Sequence, residues 1–145
     1  SQTNERYRLV LSGVFHLPWR LTLAPYYEYG SGQPWNRLLG FDANGDFWPS
    51  DRPPGVGRND MDGPRYHQLN LRLVKTFSIG GRGSLETILD VFNVLNTVNY
   101  DVRSVDNAMF YLDTTTLSPT PNPRFGQYTA TLPPLEIQLG LRYSF

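Results

Sequence analysis

From Leu135 to Phe145 the chain alternates without a break between large apolar and polar or small side chains. Period-two alternation sends successive residues to opposite faces of a strand. Leu135, Ile137, Leu139, Leu141, Tyr143 and Phe145 therefore share one face, and Glu136, Gln138, Gly140, Arg142 and Ser144 the other. Four earlier stretches repeat the pattern. Tyr7, Leu9, Leu11, Phe15 and Leu17 are apolar partners in the first, and Trp19, Leu21, Leu23, Tyr27 and Tyr29 in the second. Leu69, Leu71, Leu73 and Phe77 follow in the third, and Leu85, Leu89 and Val91 in the fourth, less cleanly. The pattern predicts five strands, near residues 6–17, 19–30, 66–78, 84–95 and 134–145.

The connections predicted between them alternate in length. Leu17-Pro18-Trp19 and the Gly-rich segment from Ser78 to Arg82 are tight turns, whereas Gly30 to Arg65 and Asn96 to Pro133 are long and full of Gly, Pro, Asn and Asp. Two such loops argue against a compact soluble domain. They are the ordinary pattern of an outer-membrane barrel, with short periplasmic turns, long extracellular loops, lipid on one face of each strand and water on the other. Aromatic placement agrees. With the short turns down, Phe15, Trp19, Phe77, Tyr143 and Phe145 fall near the bottom and Tyr7, Tyr27 and Tyr29 near the top, with aliphatic residues between, as in two interfacial girdles. The alternative, a soluble β-sandwich rich in aromatic residues, gives no reason to sort rings to the strand ends. Two residues fit the pattern awkwardly: Pro25 removes a ladder donor, and Lys75 points outward, where its stem can snorkel to the headgroups.

The expected fold is thus all-β, with antiparallel transmembrane strands forming part of a larger barrel. Five strands are an odd number, and single-chain barrels of this kind have an even one. Open edges in lipid would leave backbone groups unmet. The rest of the barrel is therefore expected from a longer precursor or from partner chains.

Composition narrows the classes. Mean hydropathy is −0.41, and no stretch has the length and apolarity of a transmembrane helix, which alternating barrel strands do not need. Thirteen basic and thirteen acidic residues cancel, so nothing in the charge balance points to nucleic acid. Zero cysteines exclude disulfides and thiolate chemistry. No signal peptide is legible at the start, so an exported protein would have lost it, or the chain is a piece of a longer one.

Candidate chemistry is sparse. Asp42, Asn44 and Asp46 set oxygen ligands at alternate positions, as a calcium loop begins, but Phe47 and Pro53 occupy places where an EF-hand needs Gly and a bidentate Glu. The alternative is a plain turn around Asn44-Gly45. Calcium is the one cofactor to consider. His16 and His67 lie on different strands at opposite ends, so no shared metal site is expected. No phosphate loop, nucleophile elbow or zinc-protease motif occurs, and an enzyme is not expected. Inward charges suggest lumen lining. Arg8 faces Glu28 if Pro18 centres the first turn, and Arg72 faces Asp90 if the second centres near Gly81; opposed charges on neighbouring strands favour one register.

Leu11-Ser12-Gly13, Leu17-Pro18, Gly30-Ser31-Gly32-Gln33-Pro34, Asp42-Ala43-Asn44-Gly45-Asp46, Asp51-Arg52-Pro53, Gly57-Arg58-Asn59, Asp90-Val91-Phe92-Asn93-Val94-Leu95-Asn96 and Gln138 to Phe145 occur in that order. In this the chain resembles the closing strands of TonB-dependent outer-membrane receptors, above all those whose plug follows a carboxypeptidase-regulatory-like domain. The resemblance covers residues 1–145 and implies the C-terminal part of a plugged barrel of about 22 strands, in the outer membrane of a Gram-negative-type bacterium. It implies energy-coupled nutrient uptake, with outer-membrane lipid as one partner. The TonB system would be engaged through a plug that these residues do not include. It also implies that Tyr143 and Phe145 form a signal for outer-membrane assembly, the alternative being a girdle role alone. A different class of function, a structural or accessory β-subunit that completes an assembly and moves nothing, is compatible with the same pattern.

Overall fold

The structure is a computed structural model that describes residues 5–145. It divides into two compact units. The first to consider contains Arg8–Gly30, Tyr66–Asn99 and Pro133–Phe145 and is an antiparallel sheet. Its strands are β1 (Arg8–Ser12), β2 (Phe15–Leu17), β3 (Leu21–Gly30), β4 (Tyr66–Ser78) and β5 (Ser84–Phe92), followed, after the second long connection, by β8 (Glu136–Ser144). Their order is β1-β3-β4-β5-β8, with β2 beside β3 as the continuation of β1.

The ladder keeps every odd-numbered residue of these strands on one face. One row crosses the sheet as Phe15, Leu23, Leu73, Leu89 and Leu139, and the next as Gly13, Pro25, Leu71, Val91 and Ile137. The row between them on the opposite face is Ala24, Arg72, Asp90 and Gln138. Alternation in five separate segments is thus brought into phase, because a one-residue slip of β4 or β5 would carry Arg72 or Asp90 to the oily side.

The first predicted strand is interrupted. Gly13 and Pro25 oppose each other, and the Gly13 N–H donates to the Pro25 carbonyl at 3.2 Å. Proline has no N–H to return, so this rung carries one bond instead of two and the strand divides into β1 and β2. The first turn is also longer than expected. Leu17 pairs with Leu21, leaving Pro18, Trp19 and Arg20 in the loop, with Trp19 at φ 59° and Arg20 at φ 57°. Its centre is Trp19, not Pro18, so Arg8 stands opposite Gly30 and Val10 opposite Glu28. A two-residue shift preserves the faces but moves the pairing.

The β4–β5 hairpin is closed by Ile79 to Gly83, with Gly80 and Gly81 at positive φ. Gly83, at φ 135°, lies where a Cβ would run into the carbonyl of Ser144, so the turn uses both the conformational freedom and the lack of a side chain. At its other end β5 stops three residues earlier than the alternation predicts. Asn93 at φ 49° and Asn96 at φ 48° turn the chain out of the ladder, as Asn tolerates the left-handed region.

The second unit contains Ser31–Arg65 and Tyr100–Leu132, so the two long loops are folded and not structureless. Trp35 pairs with Met61 through reciprocal backbone bonds of 2.9 and 3.2 Å. The loops join where Leu38 N–H donates to Asn107 O at 2.8 Å, Met109 N–H to Leu38 O at 2.8 Å and Phe110 N–H to Leu39 O at 3.0 Å. A short hairpin, β6 (Phe110–Leu112) with β7 (Pro119–Pro121), and a 3-10 turn at Val102–Ser104 complete it. Trp35, 6% exposed, is the centre, with the Phe125 ring edge-on at 5.8 Å.

Candidate functional site in the polar face of the sheet

The even-numbered positions make a largely polar surface, crossed by one apolar row of Val74, Ile88 and Gly140. Arg72 straddles Asp90 directly across the β4–β5 ladder, Nε to Oδ1 at 2.6 Å and Nη2 to Oδ2 at 2.9 Å. This bidentate fork fixes register as well as charge. Arg8 pairs with Glu28 diagonally, since its direct partner is Gly30, and Glu28 also accepts from the Tyr26 hydroxyl at 3.0 Å. A third pair, Arg142 Nε with Glu86 Oε2 at 3.0 Å, joins β8 to β5. Alternation puts both residues on the inner face without joining them, because the long β5–β8 connection sets no register by itself. Tyr66, Gln68 and Asn70 continue the surface along β4, with bonds of 2.8 and 2.7 Å.

Asparagines finish the ladder at the loop end. Asn93, 1% exposed, donates from Nδ2 to the carbonyls of Thr97 and Pro133 at 3.0 and 3.3 Å. Its Oδ1 accepts from Thr97 N–H at 3.0 Å, and its own N–H donates to Asn70 Oδ1 at 2.9 Å. Asn99, 2% exposed, uses its amide group as a substitute strand, accepting from His67 N–H at 3.1 Å and donating to His67 O at 2.9 Å. These side chains satisfy backbone groups where the strands stop.

Asp42, Asn44 and Asp46 lie together, but their oxygens are directed to the turn itself. Asp42 accepts from the N–H groups of Gly45 and Phe47, each at 2.7 Å, and of Asp46 at 3.2 Å. Asp51 joins them, accepting from Ala43 N–H at 2.7 Å and Asn44 Nδ2 at 2.9 Å. Partial burial pushes the Asp42 carboxyl upward, and the N–H groups of Phe47, Gly45, Asp46 and Asn44 outweigh it and hold it below its ordinary value. Among the described residues no group of three or more His, Cys, Asp and Glu side chains is arranged to hold a metal ion. His16 lies near Thr22, its Nδ1 3.3 Å from the hydroxyl, in β2 beside the short turn, whereas His67 is in β4 at the loop end. Tyr143 donates its hydroxyl to Arg82 O at 2.7 Å and stands 6.1 Å from the fully exposed Phe145 ring.

On the opposite face the inner-strand residues Leu23, Leu73 and Leu89 are half-buried and those of the outer strands are exposed. Leu11, Ile137, Leu139 and Leu141 are 56, 59, 78 and 74% exposed. Among the described residues Trp35 is the one buried apolar side chain, and it belongs to the loop unit. A sheet with one polar, ion-paired face and one bare aliphatic face has no protein core to hold it and suits a boundary between water and lipid. No described helix is long and apolar enough to cross a membrane. These features define the wall of a membrane-spanning β-barrel. Residues 31–142 match the family model of the outer membrane beta barrel domain, and the chain belongs to that family. It is an outer-membrane protein of a Gram-negative-type bacterium. No curated protein and no solved structure matches it.

Proposed function

We propose that the chain is barrel wall of a TonB-dependent-receptor-like transporter, in which the polar face lines the lumen and the loop unit faces the outside of the cell. The observation that carries this is the two-faced sheet with its ladder of ion pairs. Arg8–Glu28, Arg72–Asp90 and Arg142–Glu86 are expensive to leave in hydrocarbon and inexpensive against a water-filled interior. The TonB-specific part is supported by the ordered motifs from Leu11-Ser12-Gly13 to the terminal Tyr143-Ser144-Phe145. Among the described residues the outer edges of β1–β2 and β8 have no partner strand in the sheet order, which supports further strands, supplied by the same precursor or by partner chains. Under this reading the protein binds and passes a nutrient and catalyses no covalent step, and Tyr143 and Phe145 serve assembly.

The test is extraction of the native protein from outer membranes in mild detergent, followed by intact mass and uptake measurement. A polypeptide carrying a plug and preceding strands, with uptake abolished by collapsing the proton-motive force, is the expected result. A polypeptide near 16.6 kDa associated with other barrel chains and unaffected by de-energisation would replace it with the accessory-subunit reading.

A further inference from the structure

Lys75 is the one basic or acidic side chain, histidine aside, at an outward-facing position of the described strands; its direct neighbours across the ladder are Leu21 and Thr87. Other strand cations are paired or lie on the polar face: Arg8 with Glu28, Arg72 with Asp90, Arg142 with Glu86. Among the described residues no carboxylate forms an ion pair with Lys75. Its ammonium instead donates to the backbone carbonyl of Trp19 and sits 5.6 Å from the centre of the Phe77 ring.

We propose that Lys75, with Phe77 and Trp19, forms a binding site for the headgroup of an anionic phospholipid in the periplasmic leaflet. Three observations converge on that ligand. An ammonium has three N–H donors, and the Trp19 carbonyl takes one, leaving two for phosphate oxygens and a positive charge uncompensated by protein. The site is at the short-turn end of the strands, which is the periplasmic end of an outer-membrane barrel. It is flanked by rings suited to the headgroup level: Trp19 is 82% exposed, Phe77 47%, and Phe77 continues across the sheet through Leu85 to Tyr143. The Trp19 carbonyl holds the ammonium near the turn, so the charge is presented at the membrane boundary and not along the aliphatic band. This inference rests on the membrane location and is independent of transport.

The test uses native mass spectrometry of the full protein released from micelles containing equal phosphatidylglycerol and phosphatidylcholine. Retention of phosphatidylglycerol should exceed that of phosphatidylcholine about fivefold, the size expected of one basic side chain at an anionic surface. Lys75→Gln should bring the two lipids to parity, and Lys75→Arg should keep the preference. For the unaltered protein, raising the ammonium acetate concentration should weaken the preference, which needs no variant to fold. Equal retention of both lipids by the unaltered protein, or a preference that survives Lys75→Gln, would overturn the site.

Discussion

The sheet and the loop unit solve the same problem in opposite ways. The sheet, Arg8–Gly30 with Tyr66–Asn99 and Pro133–Phe145, has regular ladders and buries no apolar side chain. The loop unit, Ser31–Arg65 with Tyr100–Leu132, has few regular ladders but gathers around Trp35. Its backbone groups are met by Asp42, Asp51, Asp101 and Asp113 as well as by isolated bridges. One region takes its apolar environment from lipid, and the other makes a small one for itself in water. An aliphatic band that would be an aggregation hazard in a soluble protein is a solvent-matched surface in the sheet.

The largest expected effect separates the two regions most sharply. Trp35→Ala should cost the loop unit about 3–5 kcal/mol, the usual range for removing a large buried ring. Hydrogen exchange should then accelerate at Leu38, Met109 and Phe110, whose N–H groups make the loop's bridging bonds, and leave ladder amides such as Leu73 and Leu89 protected. If both sets lose protection together, the two units do not hold their structures separately.

Within the sheet, adjacent residues provide a sharper contrast. Leu139→Arg should destabilise the inserted protein by about 2–4 kcal/mol because it puts a guanidinium in the lipid band, and Gln138→Arg should cost much less. Refolding yield into lipid vesicles, titrated with urea, measures the difference. Equal loss from the two substitutions would contradict the division of faces.

A smaller effect is expected at the end of the ladder. Asn93→Ala removes the acceptor of Thr97 N–H and the donor to Thr97 O and Pro133 O, and stranded buried groups cost about 1–3 kcal/mol. Exchange should quicken at Thr97 ahead of the β4–β5 ladder. Uniform quickening along β5 would instead assign Asn93 a role in the whole strand.

The smallest effect belongs to the β6–β7 turn. N–H groups of Thr116 and Thr115 hold the Asp113 carboxyl below its ordinary 3.8. A depressed folded-state pKa means stabilisation that is complete above the unfolded value and is lost as pH falls through the folded one. The Thr115 and Thr116 amide resonances should therefore hold steady from neutrality to about pH 4 and move only in stronger acid. A midpoint at or above 3.8 would show that Asp113 does not cap this turn.

How much of this was legible in the sequence depends on what sets each boundary. The third strand was expected at residues 66–78 and is Tyr66–Ser78, because alternation alone defines it. The first was divided by a residue on its neighbour, Pro25, which alternation within one segment does not register. The turn shift arose because Trp19 and Arg20 take left-handed conformations that their side chains do not advertise. Arg72 and Asp90 could be set opposite each other because the Gly-rich turn between them is short, whereas the Arg142–Glu86 pair crosses from β5 to a strand more than forty residues further on. The loop fold was least legible of all. Its joining bonds run between main-chain groups of two segments far apart in the chain, and backbone hydrogen bonds leave no pattern in side-chain polarity.

The missing rung at Pro25 has a mechanical consequence. The edge strand is fastened to β3 as two short zips, β1 of five residues and β2 of three, with a single bond from Gly13 between them. Under a pulling force applied at Arg8, such a seam tears in stages. The five-residue zip yields first, and the shorter one, tethered through the turn from Pro18 to Arg20, detains the strand in a half-peeled state. In a force-extension trace the strand would leave the sheet as two small releases where an unbroken ladder would give one.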